Sequence, residues 1–473
     1  MCIRDSQDSP RPRLVEAYLF FYAKISGFAV TDSVEEGENV LVPESTPAPS
    51  AERLSALITA LTRHLELVVI ELEERDDPQV IFETLNARGE PLLPSDLIRN
   101  FVFLEASRRR EDVERLYATY WHDYDESNDG FGGFWKQEER QGRLVRPRLD
   151  LFFFHYLTCQ TESDFGITHL FQEFRAWWKI TNTVEANLNT MRQYSNVFRQ
   201  FFETGNKSRV AVFANRLRLL DTSTVYPLLL FLLEEQSVVP TVERDGIVTD
   251  LESYLVRRMV CNLTTKNYNR VFLTLLRNLR EASKTGTASR DEVRRLLLES
   301  EGDSVRWPDD KEFGTCWLGN PVYRHLSSGR IEMLLSAIDL QLTTAKQEQI
   351  LLAGGLSIEH VMPQNGREAD WPLLVSAQDD EVLRQEALER RAQRIHTIGN
   401  LTLLTQQLNS SISNGPFAAK RPEIAEQSNL RLNTYFQNFT NSDPWTEDCI
   451  VQRGKHLFDT AREIWPYPEK TGS

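Results

Sequence analysis

Apolar residues recur along most of this chain at the three- and four-residue spacing of amphipathic helices. That spacing predicts helices over residues 14–25, 51–62, 96–107, 331–341 and 445–465, and a long helical pair over 251–276. The whole stretch from 108 to about 344 reads as mostly helical, broken by a Gly-rich loop at 123–133. Residues 225–233 form the longest apolar run and contain Pro227. They read as a buried helix, well short of the ~18 residues a membrane span needs. Strand signals are few. Val68, Val69 and Ile70 favour a strand over 65–72. Two further short strands are expected near the C-terminal end, one closing at Pro363 and one over the run that begins at Asn400. Asp77-Pro78 reads as the cap and first position of a short helix, and Ser95 as the cap of the next. Residues 35–50, acidic and rich in Pro and Ser, read as a surface loop. The fold class is therefore α+β, predominantly α-helical, with three regions: 1–107, 108–303 and 304–473.

The chemistry gathers at the two late strands. Glu359 and His360 are adjacent, and strand neighbours point to opposite faces, so they share a site only at a strand end or bend. A histidine can take a proton from water near neutral pH. A carboxylate and an Asn carbonyl are the oxygen ligands a hard divalent ion prefers. Asn400 opens the second strand, Asn409 falls where a helix begins, and Lys420 follows on that element within reach of a phosphate. Taken singly, each residue has a plainer reading. His360 alone reads as a satisfied structural histidine, and Asn400 or Asn409 alone as a turn or cap residue. His396 reads as a phosphate contact or as packing beside the second strand. Lys420 and Arg421 read as phosphate contacts or as solvated surface.

Together the run "SIEHVMPQ…IGNLTLLTQQLN…F..K" resembles the ββα-metal (HNH, His-Me finger) nuclease core. More narrowly, it is similar to the nuclease half of GmrSD-type, modification-dependent (type IV) restriction endonucleases. The resemblance implies His360 as general base, Glu359 and Asn409 as metal ligands, and Asn400 as the residue that holds the loop and orients His360. It implies Mg²⁺ or Mn²⁺ as cofactor, and DNA, modified phage DNA in particular, as substrate. The insert at 365–395 is usual in that subfamily.

A second motif, "IFETLNARGEPLLPSDLIRNFVF" from Ile81 to Phe103, resembles the ParB/sulfiredoxin-like half of the same proteins. There the segment helps build an NTP site together with an upstream Asp-Gly-Gln-Gln-Arg motif, which has no counterpart before Leu65 here. Asn86, Arg88 and Asp96 are the candidates for a residual nucleotide pocket, against helix capping and ion pairing as the alternative. Region 1–107 is thus expected to be the remnant of a nucleotide-sensing domain, with gating lost or supplied by a homodimer mate or partner chain. The opening MCIRDS follows no structural pattern and runs abruptly into the first helix, so sequence is expected to be missing upstream.

Composition narrows the classes. With 473 residues, 41% hydrophobic and 26% charged, the chain is globular and large enough for several domains. A net charge of −15 argues against a protein coated in basic surface, and leaves DNA to a local groove. Arg257, Arg258, Lys266 and Asn269 sit together as such a groove or, on the plainer reading, as a polar network between helices. The dense aromatics Phe152, Phe153, Phe154, Trp177 and Trp178 read as core. Cys2, Cys159, Cys261, Cys316 and Cys449 form no CxxC pair, which argues against structural zinc and suits a reducing cytoplasm. The rivals to a nuclease are a non-catalytic DNA-binding or regulatory protein keeping the fold, and an RNase or toxin.

Overall fold

The structure, a computed structural model, describes residues 13–29, 50–65, 92–125, 133–142, 144–178, 183–203, 208–234, 237, 239–286, 288–343, 355–373, 381–412 and 414–468. It divides into two compact units, Met1–Gly89 and Glu90–Ser473.

The first unit contains helix α1 (Arg13–Ala29) and helix α2 (Ala51–Thr59). The Ser50 hydroxyl accepts from the Arg53 N–H and caps α2, while the Ser50 N–H donates to the Ala29 carbonyl at 2.7 Å. Phe20, Phe21 and Tyr22 of α1 are exposed rather than packed. The strand expected over 65–72, apart from Leu65, and the candidates Asn86 and Arg88 lie outside the described residues.

The second unit opens with α3 (Pro94–Arg108). Ser95 is not its cap. Pro94 occupies the first turn, and the Ser95 N–H donates 3.0 Å to a carboxylate oxygen of Asp150, a fully buried residue on α4 (Arg148–Thr161). A distant carboxylate thus does the capping a local hydroxyl was expected to do. Asp96 lies half-buried in the same first turn. The aromatics between these helices are core: Phe152, Phe153 and Trp178 are buried, and Phe153 packs edge-on to Phe174 and stacked on Trp121.

Among the described residues, a hairpin escapes the helical reading of 108–344. Strands β1 (Glu138–Gln141) and β2 (Leu144–Pro147) pair antiparallel, with Glu138 opposite Pro147. Neither strand alternates apolar with polar residues, so periodicity is silent there. Polar contacts hold the pair instead. Arg148 binds Glu139 at 3.1 Å and the Gln137 side chain at 2.6 Å. Gly142, at φ 62°, makes the turn and donates its N–H to Asp221 at 2.7 Å.

The expected buried helix is α5 (Tyr226–Leu233), and the expected pair is α6 (Thr241–Val260) and α7 (Tyr268–Lys284). Buried charges on α6 bind distant parts of the unit together. Asp250 meets Arg290 at 2.6 Å and Arg294 at 2.7 Å. Glu252 meets Arg209 at 2.8 Å and accepts from the Trp465 indole N–H at 2.8 Å. Arg257 and Arg258 are fully buried. Arg257 donates to the Trp465 and Pro308 carbonyls and to Asp310, so the polar-network reading holds for it. Next come α8 (Asp310–Gly319), the short α9 (Val322–His325) and α10 (Ser328–Leu342).

The last third carries β3 (Leu356–His360), α11 (Glu381–Arg394), β4 (Leu401–Thr405), α12 (Gln406–Ile412), α13 (Phe417–Gln427) and α14 (Glu447–Ile464). A second apolar cluster of Val361, Met362, Trp371, Leu404, Phe417, Phe436 and Trp445 packs around the hairpin. Helix α14 meets the turn before β4 at backbone distance. A methyl group on Gly399 would lie 2.1 Å from the Ile450 carbonyl oxygen, so only glycine fits there. Among the described residues, no helix is long and apolar enough to cross a membrane.

Candidate active site

β3 and β4 pair antiparallel, with Glu359 opposite Thr402 and His360 opposite Leu401. β4 is buried over Leu401–Leu404 and anchors the half-buried β3. β3 stops at His360, with Pro363 three residues on. At that end Glu359 and His360 line one cleft of about 310 Å³, together with Tyr323, Ile358, Pro363, Gln364, Asn365 and Asn414. The strand end thus resolves the opposite-face problem of an adjacent acid and histidine.

Asn400 is fully buried in the turn entering β4, and its side chain is saturated. Its Oδ1 accepts from the Met362 N–H at 2.9 Å and from the Trp445 indole N–H at 3.2 Å. Its Nδ2 donates to the Met362 and Ile395 carbonyls, each at 2.9 Å. The Val361 N–H adds a bond to the Asn400 carbonyl at 2.9 Å. One amide therefore fixes the chain directly after His360. Below it, the buried Arg453 guanidinium donates to the Gly399 carbonyl at 3.0 Å and the Leu401 carbonyl at 2.7 Å. Burial pushes Arg453 down to about 9, which still leaves it charged at neutral pH.

The His360 ring is held by aromatic neighbours rather than by a carboxylate. Tyr323 of α9 meets it edge-on at 4.3 Å between centroids. His396 stands at 5.7 Å, itself stacked on Tyr323. His360 Nε2 is buried and has no hydrogen-bond partner, and the same holds for His396 Nδ1. Burial, with His396 and Lys420 nearby, pushes His360 down to about 4, so the ring is neutral at pH 7. Burial and Arg324 lower His396 in the same sense.

Lys420 is not where the sequence placed it. It lies on α13, an element separate from the helix of Asn409, and is fully buried. Its ammonium pairs with the Glu359 carboxylate and donates to the His360 carbonyl at 2.9 Å. Burial pushes the Glu359 carboxyl up and the Lys420 ammonium down, and their mutual attraction opposes both shifts. Arg421 points elsewhere, donating to the Phe436 carbonyl at 3.3 Å and the Asn441 side chain at 3.0 Å. Asn409 is the fourth residue of α12 and donates from Nδ2 to the Ser357 hydroxyl at 2.9 Å. Ser357 and Glu359 share one face of β3, so Asn409 is on the Glu359 side of the hairpin, although it does not line the cleft. Among the described residues, its carbonyl oxygen carries no hydrogen bond.

The structure brings together Glu359, His360, Asn400, His396 and Lys420. It turns Arg421 away, and places Asp96 at the start of α3. Sequence reasoning missed Tyr323 and Asn414 as members of the site. Asn414 lies between Asn409 and Phe417 of the nuclease-like motif, five residues past Asn409. Tyr323 comes from an element with no motif of its own. Among the described residues, Cys261, Glu312 and Cys316 bring one ligand atom each within 4.8 Å of one another. None of them lines the His360 cleft, and Glu312 is already bound to Arg306 at 2.6 Å.

A neutral, unpartnered histidine beside a carboxylate over an open polar cleft is the equipment of proton-transfer chemistry, and comparison with known families says which kind. Residues 307–460, which hold the whole hairpin site, match the C-terminal domain of GmrSD restriction endonucleases. Residues 3–103 match the N-terminal domain of the same enzymes. The chain belongs to the GmrSD restriction endonuclease family, and with it to the nucleases that restrict phage DNA. No curated protein matches it.

Proposed function

We propose that the chain is a metal-dependent DNA endonuclease of the HNH, ββα-metal type, cutting modified phage DNA with His360 as general base. The observation that supports this most is the neutral, unpartnered His360 beside Glu359 at a strand end over an open cleft. A base for water needs a free ring nitrogen and an uncharged ring at working pH. The His360 ring takes the proton of the attacking water from the cleft it lines, while Tyr323 and His396 limit the ring's rotation. Asn400 holds the strand end in register through its four bonds.

The residues present suit a hard divalent ion. The Glu359 carboxylate lines the cleft, and the Asn409 carbonyl is unbonded on the same side of the hairpin. These two would hold Mg²⁺ or Mn²⁺, which when bound supplies positive charge to the phosphate and leaving oxygens. Lys420 keeps Glu359 aligned. The N-terminal region, ParB-like in its motif, is proposed to gate cutting, with nucleotide sensing a property to be measured on this chain.

The test is cleavage of plain and cytosine-modified phage DNA with Mg²⁺, Mn²⁺ or EDTA, using wild type beside His360→Ala. Metal-dependent cutting that falls by about 10²–10⁴ in the variant, at an unchanged melting temperature, is expected. Equal cutting by both proteins would remove His360 from the chemistry. Inertness of both on every substrate, with nucleotide present, would favour the binding-protein rival.

A further inference from the structure

A cleft of about 470 Å³ lies outside the His360 site. Its polar lining includes Asn262, Thr264, Thr265 and Lys266 on the α6–α7 connection, His325 at the end of α9, and Arg330 on α10. Among the described residues, no acidic side chain lines it. In a chain of net charge −15, a concavity that gathers Lys266 and Arg330 without a carboxylate departs from the background. Such a cleft focuses field on an anionic ligand.

The walls are held in place by hydrogen bonds within the protein. Arg258 donates to the Thr264 carbonyl at 2.6 Å and to the Arg306 carbonyl at 2.6 Å, which pins the α6–α7 connection. Asn267 adds a bond to the Ser304 hydroxyl at 2.8 Å. Asn262 takes the left-handed conformation, φ 53°, that turns the chain there. Opposite, Arg330 is anchored through Nε to the Leu219 carbonyl at 3.0 Å and through Nη2 to the Leu220 carbonyl at 2.9 Å. Among the described residues, Lys266 and His325 have no side-chain partner and are exposed.

Each cleft draws a lining residue from α9. Tyr323 packs on His360 and lines one, and His325, two residues on, lines the other. Two residues span at most about 7 Å between Cα atoms. We infer that this acid-free cleft binds the phosphodiester backbone of the DNA strand whose scissile phosphate lies at His360, with Lys266 and Arg330 on phosphates. Lys, Arg, Thr and Asn are the side chains that make such contacts, and they fix register without reading sequence. The inference rests on the DNA-nuclease reading above.

The test is fluorescence anisotropy on labelled duplex DNA in EDTA, with salt from about 50 to 200 mM. Wild type is compared with Lys266→Ala, Lys266→Glu, His325→Ala and, as control, Lys284→Ala at the far end of α7. Expected are weaker binding for the Lys266 variants, most for the Glu, and a salt slope lower by about 0.9 for Lys266→Ala. The control should match wild type. No DNA binding by wild type at the lowest salt, or Lys266 variants indistinguishable from the control, would overturn the inference. A parallel cleavage assay separates the two claims. If His360→Ala abolishes cutting while Lys266→Ala binds normally, only the cleft assignment fails. If Lys266→Ala loses affinity and nothing cuts, the nuclease reading fails and the cleft stands.

Discussion

Replacing Asn400 by alanine tests how the base is positioned. The side chain makes four hydrogen bonds in a site with no solvent exposure. Removing it leaves the Met362 N–H, the Met362 and Ile395 carbonyls and the Trp445 indole N–H short of a partner. At roughly 1 kcal/mol net per bond, the loss is about 4 kcal/mol, a large share of the ~5–15 kcal/mol that holds a domain. The damage is local to the segment that follows His360, so two readouts should move together. Hydrogen exchange of the Val361 and Met362 amides should speed up sharply, and DNA cleavage should fall. Asn400→Asp sharpens the reasoning. It keeps the shape and the two bonds into Oδ1, but sets an oxygen against the Met362 and Ile395 carbonyls. It should lose stability at neutral pH and recover part of it in acid, where the protonated carboxyl donates one bond. If Asn400→Ala melted within about 1 kcal/mol of wild type and its Val361 and Met362 amides exchanged at the wild-type rate, Asn400 would not be what fixes the strand end.

Lys420→Met separates the phosphate role expected from sequence from the buried pairing observed. It leaves Glu359, whose side chain is only 15% exposed, without its partner. A drop of about 3 kcal/mol in a denaturation measurement is expected, with the salt slope of DNA binding unchanged; a slope lower by about one would place Lys420 on a phosphate after all. His155 gives a pH prediction. Burial pushes it from 6.5 to about 3, with Nε2 2.9 Å from the Gln141 side-chain oxygen and Nδ1 unpartnered. As pH falls, the unfolded chain takes up this proton first, so the stability from His155 is whole above 6.5 and is lost from there toward 3. The slope approaches ~1.4 kcal/mol per pH unit, and His155→Phe should flatten the melting-temperature profile between those limits; an identical profile in the variant would remove His155 as the cause.

What was legible in the sequence follows the range of the interactions involved. Glu359, His360 and Asn400 could be placed because a hairpin end is a local object: β-strand geometry, a proline and an opening Asn fix it once the two strands are seen. The helices of the 108–344 stretch were legible for the same reason, since periodicity is a local signal. The β1–β2 hairpin was not, because its strands are held by Arg148, Glu139 and Asp221 instead of an apolar face. Nor was the true cap of α3, whose acceptor, Asp150, lies 55 residues away in sequence. Tyr323 entered the site from an element with no motif.

The lysines show why charge in a sequence does not by itself name a ligand. Lys420 sits inside the nuclease-like motif, where a phosphate is the obvious partner. The fold buries it completely and spends its donors on Glu359 and the His360 carbonyl. Lys266 sits in no motif, beside two arginines that read as one polar network with it. The fold splits that trio: Arg257 and Arg258 go inside to hold carbonyls, and Lys266 stays outside, on a cleft where, among the described residues, it has no side-chain partner and no acid beside it. Burying a cation is tolerated only with partners supplied by the protein, so a buried lysine or arginine is already bound, and an exposed one without a partner is available. Applied across this chain, that rule moves the expected phosphate contact from Lys420 to Lys266, and it makes Lys420 a residue that positions the acid–histidine pair.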